Sequence, residues 1–408
     1  MNHLFSTGLP RSGTNVITKA LSVHNDIMVS CGPNIEIYRF LRDTLVRRYG
    51  SKELQRHIKP LCPIQDYYGE EHQIELLDLV LNASLEEKFE EGEWEEFHRL
   101  AVTRVDHDSS DLLPGYSSLK GENYLQIVDK LAHLIGQMRG AGDRKYIGIH
   151  ESWYIDSFPA LARAFPQAKF IIMLRDPRGA ISSMLRQAAE RPEIRAQVIS
   201  YARHFRKNVV LAHKFKRDPL FQDRLRVIRH EDTLANPTQV MEEICHFLGV
   251  TYDERMIDTK QYFDFSTGSV WNGNSAFDKI VTGFDPQRSI KWKKTLSIEA
   301  VEAIEFLCAH EMKIAGYAPD KEINTDPVQV MNYLIHEDFR TPVKWRTDIG
   351  DPTWDLSLEV LRHTLLKSKT KLVDSMVLRR CFLFEEFCNS DIEPLFPLKA
   401  TSERTGKT

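Results

Sequence analysis

The segment that most constrains this chain is Gly8-Leu9-Pro10-Arg11-Ser12-Gly13-Thr14-Asn15, set between a short strand candidate at His3–Thr7 and a helical pattern over 14–24. A glycine-bearing turn from strand to helix aims successive backbone N–H groups and a helix N-terminus at one point, a geometry that binds phosphate-type anions. The G-x-x-x-x-G spacing is that of a Walker A loop, but Thr14 stands where its lysine belongs and Asn15 where its metal-binding Ser or Thr belongs. A metal-dependent NTPase without those two parts lacks the cation on its phosphates and its metal ligand. The loop therefore reads as a site for an anion held without metal, lined by Pro10, Arg11, Ser12, Gly13, Thr14 and Asn15, with Arg11 as its cation.

Arg175-Asp176-Pro177-Arg178-Gly179-Ala180-Ile181-Ser182-Ser183 repeats the logic after the apolar run Phe170-Ile171-Ile172-Met173-Leu174. Such a run suits a parallel strand covered on both faces, and Pro177 suits a first helical turn. Arg175 would then lie at the carboxyl end of its strand, where open α/β sheets place their ligands. Ser183, two turns on, projects back towards the helix N-terminus. An arginine fork and a hydroxyl converging there make a phosphate site.

The rest of the chain supports an α/β fold. Strand candidates at 146–150 and 225–230 alternate with helical patterns at 34–48, 159–165, 193–215, 237–248 and 297–315, the pattern of a parallel sheet with helices on both faces. Residues 50–140 read as irregular and polar. Within them, Glu86–Glu96 with Leu85, Phe89, Phe97 and Leu100 reads as a solvated helix with one buried stripe. The tail carries helical patterns at 356–367 and 371–388. The expected architecture is one large doubly wound parallel-sheet domain over 1–320. It carries a P-loop and a helical insertion near 41–144, and a helical C-terminal extension follows over 321–408.

Charge excludes some partners. Lys and Arg total 54 against 58 Asp and Glu, so no whole-protein field draws the chain to nucleic acid or membrane. Locally, Arg163 to His230 holds sixteen basic against five acidic residues, which supports an anionic ligand, although much of it can be the solvated face of the 193–215 helix. The six scattered cysteines form no CxxC pair and read as buried free thiols. No apolar run is long enough to span a bilayer. Met1–Thr7 lacks a cationic start and an apolar stretch, so a cytoplasmic location is expected.

The two anion elements together resemble the sulfotransferases that use 3′-phosphoadenosine 5′-phosphosulfate (PAPS). Strand–G-x-P-R-S-G-T–helix is similar to their 5′-phosphosulfate loop, in the version found in tyrosylprotein and glycosaminoglycan sulfotransferases. Arg175 through Ser183 is similar to their 3′-phosphate motif. Phe165–Ile171, Glu231-Asp232 with Asn236-Pro237 and Phe247-Leu248-Gly249, and Ser289–Lys294 through Gly316-Tyr317 resemble supporting segments in family order. Three positions depart from the family pattern. Arg11 stands where the cytosolic branch has a lysine, an exchange other branches also make, Asn15 replaces a frequent second threonine, and His230 a tyrosine that touches the adenine.

The resemblance implies sulfuryl transfer from PAPS to a hydroxyl or amine of a small-molecule or carbohydrate acceptor, with no metal. Arg11 and Thr14 would stabilise charge at the sulfuryl group, Arg175 and Ser183 would hold the 3′-phosphate, and Lys291 would close over the donor. It also implies Glu36, in Asn34–Phe40, as the general base, with His150 and its neighbour Glu151 as the second choice. Either could instead be structural: Glu36 on the polar face of a helix, His150 as a satisfied core histidine. Two rival functions stay open, a P-loop kinase or NTPase and a non-catalytic nucleotide-binding protein of the same fold.

Overall fold

The computed structural model describes residues 1–32, 34–60, 65–190, 198–273, 283–320, 352–368, 373–389 and 391–397. Five parallel strands form its centre: β1 (Asn2–Gly8), β2 (Ile27–Cys31), β3 (Tyr146–His150), β4 (Lys169–Leu174) and β5 (Leu225–Arg229), in the order β2-β3-β1-β4-β5. Ser6 is in register with His150, and Gly8 with Met173. β2 was not anticipated from the sequence, because its five residues form a short edge strand pairing only with β3.

Strand alternation divides the core. Leu4, Val29, Ile171 and Met173 face a layer built by α1 (Thr14–Val23) and α12 (Pro237–Leu248). Phe5, Phe170, Ile172 and Leu174 face the larger layer. That layer includes α2 (Ile35–Tyr49), α8 (Phe158–Ala164), α10 (Val198–Arg217) and α14 (Ile298–Ile314). The fold is thus the expected doubly wound α/β sheet. The helix stops follow their chemistry: Gly249 ends α12 at φ 63, and the Ser297 hydroxyl accepts from Ala300 N to cap α14.

Two readings need correction. The described residues of 50–140 are mainly helical rather than irregular: α3 (Lys52–His57), α4 (Glu71–Leu81), α5 (Glu93–Asp108), α6 (Leu113–Ser117) and α7 (Tyr124–Met138). The acidic segment is not one helix. Gly92, at φ 79, starts α5 only at Glu93, while Phe89 upstream donates its backbone N–H to Glu122. Its ring still packs into the core against Phe97.

The second correction concerns the basic helix. Described residues of the 193–215 pattern begin at Val198, and α10 is buried along nearly its whole length rather than solvated on one face. Arg203 and Arg206 pair with Glu359 at 2.8 and 2.5 Å, and Lys207 pairs with Asp156 at 3.1 Å. Glu359 lies on α15 (Pro352–Lys367), whose Leu356, Leu358 and Leu365 join the same core as Leu378 and Phe382 of α16 (Ser375–Phe382). Buried cations demand partners, so these charges are consumed internally and present no anion-binding face. Five cysteines are free thiols, four buried and Cys31 half-buried; Cys62 lies outside the described residues. No described helix is long and apolar enough to cross a membrane.

Candidate active site

The loops after β1 and β4 leave adjacent strands in opposite directions, α1 towards β2 and α9 (Pro177–Glu190) towards β5. This is the switch point of a doubly wound sheet, where the crevice for a ligand opens. Leu9 to Ser12 closes as a turn, with Ser12 N donating to Leu9 O at 3.1 Å. Arg11, its third residue, sits at φ 69. A side chain held in that left-handed region costs of order 1–3 kcal/mol and persists only where its surroundings enforce it. Gly13 follows at φ 80, and no side chain caps the start of α1, leaving its first N–H groups open to an anion.

The two anion elements meet. Arg11 Nε donates to Ser183 Oγ at 2.9 Å, and Arg175 Nη1 donates to the Arg11 carbonyl at 2.5 Å. Arg175 Nε is buried without a partner among the described residues, a donor free for a ligand oxygen at this point. His230, at the start of α11 (His230–Ala235), lies against the loop so closely that a Cβ on Gly13 would stand 2.2 Å from its Nδ1. Burial, with Arg175, Arg11 and Arg288 nearby, holds His230 well below the usual histidine range, so its ring stays neutral.

The rest of the second motif is structural. Asp176 accepts from the backbone and guanidinium of Arg178, which also donates to Glu305 at 2.6 Å and to the Ala318 carbonyl at 3.0 Å. Arg178 lies 4.3 Å over the Trp292 ring. Glu231 accepts from Asp176 N at 3.1 Å and from the Tyr317 hydroxyl at 2.8 Å. These contacts lock the backbone beside Arg175. Lys291 is half-buried just ahead of α13 (Trp292–Thr295), which Ser182 ties to α9 through Thr295 at 2.7 Å. The nearby Arg288 is the cation of this segment that acts on His230.

On the other side, Glu36 is buried in the first turn of α2 and pairs with Arg39 at 3.1 Å. Glu151 Oε2 accepts from Asn34 N at 2.9 Å, and its carbonyl accepts from Thr7 Oγ1 at 2.8 Å, linking the start of α2 to the end of β1. Tyr116, from the insertion, donates to Asn34 Oδ1 at 3.1 Å, and Tyr154 stacks on Tyr38 with centroids 4.9 Å apart. Asn34 Nδ2 and the Tyr154 hydroxyl are buried without partners among the described residues. His150 faces the opposite way. Its Nδ1 lies 3.0 Å from Ser6 Oγ on the α1 side of the sheet, and burial pushes it down to about 4. Its side chain and that of Glu151 therefore leave the strand end on opposite faces.

Arg11, Ser183 and Arg175 are thus brought together, Glu36 is joined to the β1 end through Glu151, and His150 lies under α1. Sequence reading did not single out Arg288, Asn34, Tyr116 or Tyr154 as site residues. None has a local motif, and Tyr116 reaches Asn34 from 82 residues away.

The chain is similar in part to several known proteins. Carbohydrate sulfotransferase 1 of Danio rerio is 26% identical over 183 residues, covering 41% of this chain. The chain spans about two fifths (41%) of the length of that curated relative. The sulfotransferase domain from the Synechococcus PCC 7002 olefin synthase shares 17% identity over 82% of this chain and 95% of its own, with a TM-score of 0.43. A retinol dehydratase solved with androsterone and inactive cofactor PAP shares 13% identity over 79% and 82% of the two chains, at a TM-score of 0.32. A Sulfotransferase family model matches residues 3–254, more than half of the chain and every element of the loop site from β1 to α11, and the chain belongs to that family.

Proposed function

We propose that the protein transfers a sulfuryl group from PAPS to a hydroxyl or amine of a small-molecule or carbohydrate acceptor. The observation that supports this reading is the bond from Arg11 to Ser183, which joins the loop after β1 to the helix after β4. The PAPS 5′-phosphosulfate would lie on the loop N–H groups with Arg11 and Thr14 against its oxygens. Its 3′-phosphate would take Arg175, whose Nε is a buried donor without a partner among the described residues, and Ser183.

Positioning and fixed charge supply most of the rate in the related phosphoryl transfers. Here Arg11 and the open end of α1 offset negative charge growing on the leaving phosphate and sulfuryl oxygens. Glu36 takes the proton of the acceptor nucleophile, a contribution of typically ~10²–10⁴-fold. Asn34, two residues before Glu36, and Tyr154, stacked on Tyr38 of the same helix, would offer the acceptor a buried amide donor and hydroxyl. Glu151 acts through Asn34, holding the N-terminus of α2 and so the place of Glu36.

A thermal-shift titration with adenosine 3′,5′-bisphosphate, beside adenosine 5′-monophosphate and Mg-ATP, tests the donor site. Binding at a hundred times Kd stabilises by ~2.7 kcal/mol. The bisphosphate alone is expected to shift the protein; a shift with Mg-ATP and none with the bisphosphate would overturn the reading in favour of a kinase. Bisphosphate binding without turnover on any hydroxyl or amine acceptor would mark a non-catalytic binder.

A further inference from the structure

The Leu9-Pro10-Arg11-Ser12 turn has proline second and a residue of positive φ third. That is the pattern of a type II turn, whose central peptide is rotated by roughly half a turn from its type I counterpart. Arginine has no intrinsic preference for the third position, which usually takes glycine or asparagine. In a trans peptide the C=O and N–H point in opposite directions. The rotation of the Pro10–Arg11 peptide therefore decides whether the Arg11 N–H faces the crevice or the protein interior.

One side chain acts on that peptide directly. The Tyr201 hydroxyl, reaching up from α10, donates to the Pro10 carbonyl, and it also engages the Ser12 side chain. Burial raises Tyr201 above the usual tyrosine range despite the nearby Arg175 and Arg11, so it remains a donor. Its ring packs edge-on against Trp153, centroids 5.9 Å apart. Trp153 is itself held at φ 76, with its N–H on the Gly8 carbonyl at 3.3 Å and its own carbonyl accepting from Lys207 at 3.4 Å.

We propose that Tyr201 is a positioning residue for the donor: its hydroxyl fixes the Pro10–Arg11 peptide so that the Arg11 N–H faces the 5′-phosphosulfate, with the Trp153 ring holding Tyr201 in place. The inference rests on the donor reading above. The Pro10–Arg11 peptide lies on the 5′ side of that reading, while the Arg11 side chain meets Ser183 on the 3′ side through a separate bond, so the effect of Tyr201 falls mainly on ligands that carry a 5′-phosphate.

Isothermal titration of adenosine 3′,5′-bisphosphate and adenosine 3′-monophosphate into wild type and Tyr201→Phe separates this role from a structural one. Tyr201→Phe is expected to weaken the bisphosphate about tenfold (~1.4 kcal/mol), and to leave the 3′-monophosphate within about twofold. Equal loss for both ligands, or no loss for either, overturns the proposal. Trp153→Leu keeps the hydroxyl but frees the ring, and is expected to show a smaller loss with the same selectivity. If Tyr201→Phe fails to fold, Trp153→Leu decides by the same criterion. A wild-type protein that binds neither nucleotide would overturn the donor assignment itself, which is a different failure.

Discussion

Arg11 and Ser183 lie 172 residues apart in the chain, yet the guanidinium of one donates to the hydroxyl of the other at 2.9 Å. Two loops that each resemble half of a nucleotide site are therefore joined directly to one another. Residues sharing a partner do not act additively. Ser183→Ala is expected to weaken adenosine 3′,5′-bisphosphate roughly tenfold, near the lower end of what a hydrogen bond to a charged group contributes. Arg11→Ala should weaken it more, and the double variant by less than the sum, with a coupling of about 1 kcal/mol. Strict additivity in the titration cycle would mean that the two groups serve separate sites.

The close approach of His230 to the loop makes Gly13 a steric test. Alanine there meets both a left-handed backbone and His230 Nδ1 at 2.2 Å. The backbone alone costs roughly 1–2 kcal/mol, and the ring must also move. Gly13→Ala is expected to lower unfolding free energy by about 2 kcal/mol or more and to abolish the bisphosphate thermal shift. His230→Ala in the same chain should recover part of the stability by clearing the space. A Gly13→Ala protein as stable as wild type in urea would refute the packing described.

Much of this was legible in the sequence, and the reason is local. Gly8–Asn15 and Arg175–Ser183 each carry their chemistry within a few residues of a strand-to-helix junction, so spacing and residue type were enough. The apolar run of β4 showed a doubly covered strand for the same reason. What stayed hidden depends on distant partners. Nothing near Arg203 or Arg206 marks them as core residues, because their carboxylate arrives from Glu359 on α15, more than 150 positions on. His150 was a plausible base by its position at a strand end, but strand alternation turns it towards Ser6 and α1, away from Glu36. Tyr201 donates to Pro10 from 191 residues away, a contact that no motif records.

Glu36 and Glu151 make separable predictions. Glu36→Gln keeps the shape of the residue but removes its basicity, so kcat should fall by ~10²-fold or more while bisphosphate affinity stays within about twofold. Glu151→Gln retains an oxygen for Asn34 N, and should reduce kcat less than Glu36→Gln does. Steady-state kinetics with a working acceptor would check both. A Glu36→Gln enzyme with unimpaired kcat would remove Glu36 from the chemistry.

The buried cluster on α10 predicts a large stability effect remote from the site. Glu359 serves Arg203 and Arg206 together, with all three side chains at 2% exposure or less. The two guanidinium groups hold its carboxyl down at about 2 against the opposing effect of burial. Removing one member of a buried ion pair typically costs 3–5 kcal/mol, because the remaining charge is left unpaired. Glu359→Ala is expected to fall in that range in urea denaturation, and Glu359→Gln somewhat below it. A loss under about 1 kcal/mol would show that α15 does not hold these charges.

His150 gives the molecule an acid-sensitive element whose sign can be worked out. Its ring is buried, and its folded value of about 4 lies below the model-peptide value of 6.5. Between those values the unfolded chain binds a proton that the folded protein refuses, so stability falls as pH drops through this window. At pH 7 both states are mostly neutral and the effect is small. Integrated over the window, the loss is about 3 kcal/mol from this residue alone. His150→Gln should be less stable than wild type at pH 7, having lost the fit against Ser6, yet lose less stability between pH 6.5 and 4. Urea midpoints across that range check the prediction, and parallel pH slopes for wild type and variant would place the acid sensitivity elsewhere.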